Sequence, residues 1–293
     1  MPDPIQLLLG LGVPMIIAAL LAWIGGRAPR GSSWGAIAGL AIGLLIAYRA
    51  FLSRWSPLPA IEAPERIVVF NVGLAIAALL LCWQRVPWIA RVLLAIAANV
   101  LIVWYVFRPM PVSSLPVNRL WTYVAITAAA SLALTGLIER IGQRSGSVAA
   151  ALVLGPFTAG VGLIDFLTGN AKLGWLGASM GLIVFGWFVA AIVSRTTSLA
   201  RGPIVVCMTA LAALLSFGYF VSDSMTTVEL LLLAVAPVLG LIAELPPVQR
   251  WKPWRRELAR LVLVAIPIGV AIGIAVPKFI RENSEATSAS QEM

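Results

Sequence analysis

Hydrophobic runs of about 17–25 residues recur along the whole chain and alternate with short polar or charged segments. A helix of this length crosses the ~30 Å hydrocarbon core of a bilayer. The runs are continuous and do not alternate with polar residues, which excludes a membrane β-barrel. The pattern predicts an all-α, polytopic transmembrane helical bundle of about ten spans. The predicted spans cover residues 5–24, 34–51, 67–83, 88–107, 120–138, 148–167, 173–193, 204–221, 228–243 and 258–276.

The spans indicate one membrane domain over residues 1–277, followed by a polar tail, 278–293, that we expect to be disordered. Three segments of the first half resemble segments of the second at offsets of 137, 139 and 141 residues. Two candidate repeats, 5–138 and 147–277, would hold five spans each. An odd number of spans inverts the second copy, as in many secondary transporters. The alternative is that the paired segments resemble each other by chance, since membrane helices use few residue types. The paired segments begin at Ile67 and Ile204, Leu94 and Leu233, and Trp34 and Trp175.

Composition supports a membrane protein, with 60% hydrophobic and only 11% charged residues. The net charge of +9 is spread over short loops, so it does not predict a nucleic-acid partner. Counted together with the adjoining helix ends, the loops on one side of the predicted bundle carry thirteen Lys and Arg residues, against eight on the other side with the termini. Basic loops favour the cytoplasm, so we expect both termini to face outward, in a bacterial inner membrane.

The chain offers little for catalysis or metal binding. It has no histidine, and its two cysteines, Cys82 and Cys207, lie in separate predicted spans. No phosphate loop, nucleophile elbow or zinc motif is present. We therefore predict no cofactor, no metal and no enzymatic activity. An intramembrane lipid-handling enzyme would need a polar cavity that opens sideways around Asp165 or Glu244.

Few polar groups lie within the predicted spans, where a charge costs at least ~2.5–3.5 kcal/mol. Asp165 is the leading candidate for proton or cation coupling; the alternative is a helix-end acid in water or paired with Lys172. Asn71 and Asn99 lie deeper in the spans. They either join helices by hydrogen bonds or face a polar cavity.

Prolines and glycines give two further candidate features. Pro14, Pro156 and Pro237 interrupt predicted spans, as in the broken helices of transporters or as ordinary kinks. Four glycines in and just before the second span follow each other at every fourth residue. They favour either internal helix packing or a homodimer or sliding face. These are Gly31, Gly35, Gly39 and Gly43.

Residues 246–260, PPVQRWKPWRRELAR, form the strongest basic cluster, here called the basic strip. Tryptophan prefers the membrane interface, and each nearby Lys or Arg adds about 1 kcal/mol of attraction to anionic lipid. We predict that the strip anchors the protein to anionic lipids of the bilayer. The anchoring residues are Arg250, Trp251, Lys252, Trp254, Arg255 and Arg256. The proline-rich loop 53–66 is a docking segment for a partner, a lid over a cavity or a stiff connector.

The stretch LAVAPVLG, residues 233–240, resembles the proline-containing ninth helix of EamA-type members of the drug/metabolite transporter superfamily. The length, ten spans and paired halves are also similar to that family. The resemblance implies a small permease with its site between the halves. Its carriers keep both termini in the cytoplasm, opposite to the charge distribution here, so we assign no membership. The first functional hypothesis is a secondary transporter, and the alternative is a non-catalytic accessory subunit of a larger membrane complex.

Overall fold

The computed structural model describes residues 3–27, 33–52, 62–83, 88–107, 117–194, 197–199, 202–220 and 225–291. Within these ranges all regular secondary structure is helical, and a short 3-10 turn, Gly240–Glu244, follows α9. The helices are α1 (Pro4–Arg27), α2 (Trp34–Leu52), α3 (Ala63–Trp83), α4 (Trp88–Phe107), α5 (Val117–Ser145), α6 (Ser147–Leu167), α7 (Ala171–Val193), α8 (Pro203–Phe220), α9 (Thr227–Leu239), α10 (Pro246–Gln249) and α11 (Pro253–Gln291).

The predicted all-α, polytopic helical bundle is confirmed. Each of the ten predicted spans coincides with a helix. Within the described part of the chain, eight helices are long and apolar enough to cross a membrane, and a shorter apolar stretch, Val92–Tyr105, lies in α4. These features make the chain a multi-pass membrane protein. The number of ten spans stays a prediction.

The bundle is built around α8, which is buried over nearly its whole surface. It packs against α3, α4 and α5 on one side and approaches α2, α6 and α7 on the other. α6 and α7 form the most extensive helix pair, and α1 packs along both α2 and α7. α11 packs against α6 and α9. Because α8 meets apolar neighbours on every side, its sequence is apolar all round.

The glycines of α2 are buried inside the molecule. A Cβ added at Gly39 would lie 2.9 Å from the Cα of Ala18, and Gly35 lies against the carbonyl group of Leu21. Gly43 faces Ile183 of α7, where a Cβ would lie 2.7 Å from its Cδ1. Internal packing is confirmed, and the prediction of a homodimer face at Gly35, Gly39 and Gly43 is wrong because α1 and α7 cover it. Gly31 and loop residues 53–61 lie outside the described residues.

The C-terminal segment and the proposed repeat differ from the sequence-based expectations. The tail that we expected to be disordered continues α11 as helix to Gln291. Extending an existing helix avoids the cost of nucleation, which permits this even for polar residues. The contacts give the proposed repeat no support: α1 packs along α7, but the equivalent pair, α6 and α2, makes no comparable contact within the described residues.

We predict that Gly162→Ala destabilises the protein, since its new Cβ would lie 2.5 Å from the backbone nitrogen of Ala178. Overpacking of this kind costs about 1–3 kcal/mol. Gly136→Ala is the matched control, because nothing lies within 4 Å of a Cβ there. Denaturant titration in mixed micelles measures both. Equal unfolding free energies for the two variants would contradict the close contact of α6 and α7.

Candidate functional site

The candidate carboxylate, Asp165, lies in the last turn of α6. Gly169 ends this helix with a positive φ of 87°, a backbone conformation that glycine adopts without strain. The N–H of Gly169 donates to the carbonyl oxygen of Phe166, and the N–H of Asn170 donates to that of Asp165. This pair of hydrogen bonds is a Schellman motif, with Asp165 at its first accepting position. The motif holds the Asp165 backbone at one place in the turn.

The Asp165 side chain is fully buried, and neither carboxylate oxygen has a hydrogen-bond partner among the described residues. Its Oδ1 atom faces Gly218 of α8, so closely that a Cβ at Gly218 would lie 2.5 Å away. The methyl carbon of Met225 would lie 3.2 Å from the same Cβ. The carboxyl group therefore sits between α6 and α8 in a pocket that only glycine leaves open.

The alternative role for Asp165, in water or paired with Lys172, is wrong. The Lys172 Nζ atom instead lies 2.6 Å from Oε2 of Glu62, and both of these side chains are exposed. Lys172 lies in the first turn of α7, after the turn that follows α6, and its long side chain reaches water. Asp165 points into the bundle, and the two side chains thus have different surroundings.

The two buried asparagines act within and between neighbouring helices. Asn99 of α4 accepts a hydrogen bond of 2.5 Å from the Ser131 hydroxyl of α5, and its amide donates to Ala95. Asn71 donates to the carbonyl oxygen of Ile67, while its Oδ1 has no partner among the described residues. Asn99 thus joins two helices. No hydrogen bond of the described residues links either asparagine to Asp165.

Two of the three candidate prolines lie next to irregular helical turns. Pro14 follows a π-helical turn, Leu8–Gly12, and is buried beside α2. Pro237 is buried in α9, one turn before the helix tightens into the 3-10 segment. Pro156 lies inside α6, where the nearby Thr158 hydroxyl bonds back to the carbonyls of Leu154 and Gly155. Each proline removes one backbone donor and weakens its helix locally.

An apolar groove of about 700 Å³ runs between α6 and α7 and is open on one side. Neither Asp165 nor Glu244 lines it, so this groove is not the polar lateral cavity that a lipid-handling enzyme would need. Its lining residues are all glycine, alanine, proline or larger hydrophobic side chains. They are Ala151, Leu152, Gly155, Pro156, Ala159, Gly162, Leu163, Phe166, Gly174, Trp175, Ala178, Gly181, Leu182, Phe185, Phe188 and Leu261.

The basic strip divides into exposed and buried residues. Five of the six predicted anchor residues are exposed: Arg250, Trp251, Lys252, Trp254 and Arg255. Arg256 is half-buried instead and binds Glu257, with 3.2 Å between its Nη2 and Oε1. A single cluster of cations therefore contains residues with two different roles.

Sequence reasoning missed Arg260, a fully buried residue of the same strip. Its guanidinium forms ion pairs with Glu244 and Glu257, and the Ser145 hydroxyl donates to Glu244 over 2.6 Å. These contacts tie the end of α5 and the 3-10 turn to the start of α11. The spacing of Glu257 and Arg260, three residues apart on a helix, was the available signal.

A second ion pair that the sequence did not reveal lies at the opposite end of the bundle. The Lys278 Nζ atom of α11 is 2.8 Å from Oε1 of Glu229, which is buried in the first turn of α9. Glu229 also forms a capping box with Thr226, accepting from its backbone N–H over 2.6 Å. Lys278 belongs to the segment that we expected to be disordered, so this pair contributes to the order of that segment.

We predict that Arg260→Gln lowers the unfolding free energy by about 3–5 kcal/mol, because the mostly buried Glu244 then lacks its cation. Arg255→Gln is the matched control on the same helix. Arg255 is exposed, and we expect its loss to change stability by no more than about 0.5 kcal/mol. Denaturant titration compares the two. If adding Glu244→Gln to Arg260→Gln restores no stability, the ion pair is not the cause.

No family model, no curated protein and no solved structure matches this chain. The resemblance of residues 233–240 to the drug/metabolite transporter superfamily gains no support from these comparisons. Function is therefore inferred from the chain's own residues.

Proposed function

We propose that this multi-pass membrane protein is a small secondary transporter in which Asp165 binds the coupling proton or cation. The supporting observation is a fully buried carboxyl group whose two oxygens lack hydrogen-bond partners among the described residues. The proposed role is non-catalytic. The proposed location is a bacterial inner membrane, with both termini of the chain facing outward. The outward orientation of the termini follows from the distribution of basic loops.

The energetic argument concerns the charged form of Asp165. Burying an ionised carboxylate without a partner is costly, and the C-terminal end of a helix is the unfavourable end for a negative charge. Binding a proton or a cation removes this cost. The charges of Glu229 and Arg260 are already paired with oppositely charged neighbouring side chains. The two paired charges gain nothing by binding a further ion, whereas ionised Asp165 is stabilised when it binds a proton or a cation.

The helices around Asp165 have features that permit movement. α6 contains Pro156, and its backbone meets that of α7 at Gly162 and Gly177, where neither residue has a side chain. α1 contains a π-helical turn just before Pro14, and a 3-10 turn follows α9 shortly after Pro237. Alternating access requires two arrangements of such elements around one site. Movement of α6 relative to α8 would open the Asp165 site.

We predict that Asp165→Asn abolishes ion-coupled uptake, with at least a tenfold fall, while solute exchange without a gradient continues. The neutral amide resembles the protonated carboxyl group and cannot release a proton. Proteoliposomes exposed to pooled solutes measure the coupled flux, with internal pyranine reporting protons under a pH gradient and labelled sodium reporting Na⁺ under a sodium gradient. Glu62→Gln, on an exposed acid, is the matched control and is expected to leave the flux unchanged.

The same variant also tests the energetic argument. We expect Asp165→Asn to unfold at the same or a higher temperature than the wild type, because it removes a buried, unpaired acid. The variant would then lose ion-coupled uptake without losing stability, so the loss of uptake could not be attributed to unfolding. Coupled flux equal to that of the wild type would contradict the role of Asp165.

A specific observation supports the alternative, a non-catalytic accessory subunit. Gly269 and Gly273 of α11 are exposed, and a Cβ at either one would meet no described atom within 4 Å. Small residues four apart allow two membrane helices to approach closely. α11 thus offers a face to which another membrane subunit fits.

For this alternative we predict co-migration with a stoichiometric partner after gentle detergent extraction of the native membrane. Native gels and mass spectrometry identify what travels with the chain. Gly269→Leu is expected to release the partner, whereas Gly136→Leu, at another open position on α5, is expected to retain it. A lone monomer with wild-type Gly269 would overturn the subunit role and favour the transporter.

A further inference from the structure

The groove between α6 and α7 has the shape and depth of a site for an elongated apolar molecule. Its lining on α6 extends from Ala151 to Phe166, fifteen residue steps, or roughly 22 Å of helix. That length covers most of a ~30 Å hydrocarbon core. The volume of about 700 Å³ lies within the range of ordinary ligand pockets, which is ~300–1,000 Å³.

The groove exists because the facing helix surfaces carry small residues. Gly155, Ala159 and Gly162 of α6 and Ala178 and Gly181 of α7 line it, and none of them has a side chain longer than a methyl group. The two backbones are in close contact at Gly162 and Ala178, so the groove runs along the open side of this helix contact. A Cβ at Gly155 would meet only a methyl group of Val184, at 3.7 Å. The protein therefore leaves room that its own side chains do not fill.

Leu261 of α11 also lines the groove, and it lies one residue after the end of the basic strip. Trp254, Leu258 and Leu261 recur at i, i+4 and i+7, which places them on one face of the helix. Trp254 and Leu258 are both exposed. A continuous apolar path thus runs from the groove to the strip.

The cations of the basic strip are not all neutralised by the protein. Arg256 and Arg260 bind acidic side chains, whereas Arg250, Lys252 and Arg255 make no ion pair among the described residues. The guanidinium carbon of Arg255 lies 5.3 Å from the centre of the Trp254 ring. This contact draws a positive charge toward the apolar face that continues into the groove.

From this juxtaposition we propose that the groove and the basic strip together bind one phospholipid with an anionic headgroup. An acyl chain lies in the groove between α6 and α7, and the headgroup phosphate binds Arg255 and Lys252. The apolar lining suits the chain, and the unpaired cations select the charge of the head. The site is distinct from Asp165, which does not line the groove.

Native mass spectrometry of the full-length protein in nanodiscs tests this site. The probes are phosphatidylglycerol and phosphatidylcholine with identical acyl chains. We expect the wild type to retain one phosphatidylglycerol in preference to phosphatidylcholine. Lys252→Gln with Arg255→Gln is expected to reduce that preference about 30-fold, from the loss of two interfacial cations. Arg140→Gln, an exposed cation at the same end of the bundle, is the matched control and should leave it unchanged.

A groove-filling variant tests the acyl-chain half of the site. Gly155→Leu is expected to reduce retention of both lipids at least fivefold, whereas Gly136→Leu, outside the groove, should not. If Gly155→Leu does not fold, Leu163→Trp on the exposed rim replaces it. Equal retention of both lipids by the wild type, or full retention after filling, would overturn the proposal. A lipid-free wild-type dimer that dissociates on filling would assign the groove to a second copy and overturn it as well.

Discussion

The bundle depends on close contact between helix backbones at glycines. Gly162 and Gly177 bring α6 against α7, Gly35 brings α2 against Leu21 of α1, and Gly186 brings α7 against Met15 of α1. In lipid, apolar side chains gain little by leaving one hydrocarbon environment for another, so van der Waals packing decides which helices associate. These crossings arrange four helices side by side, and the apolar groove follows from the contact of α6 with α7. The Asp165 site depends on another glycine, Gly218 of α8.

Charged residues complete the structure at the two ends of the bundle. At one end Arg260 joins α11 to the turn after α9, and at the other Lys278 joins α11 to the first turn of α9. Both links involve α11, which is thereby attached at two levels along its length. Asp165 differs, because it is buried without such a partner among the described residues. The bundle is thus held at its ends by ion pairs and in its middle by close contacts at glycines.

The sequence predicted several local features correctly because their causes are local. Runs of apolar residues locate the helices, since backbone groups in hydrocarbon must bond within their own segment. The glycine spacing on α2 predicted a close packing surface, but spacing alone did not reveal which helix lies on it. The partner of Lys172 was also beyond sequence reasoning: Glu62 is distant in the chain and reaches it only through the bundle.

The sequence by itself determined the class of molecule, the position of each helix and the short list of polar groups within them. Composition and the length of each apolar run decide these features, because a segment surrounded by lipid must be apolar over the thickness of the hydrocarbon core. Tertiary structure alone decided that Asp165 faces Gly218, that Asn99 meets Ser131, and that Arg260 is buried while Arg255 is exposed. These outcomes depend on how helices rotate and pair. That is set by contacts between residues far apart in the chain, which no local pattern records.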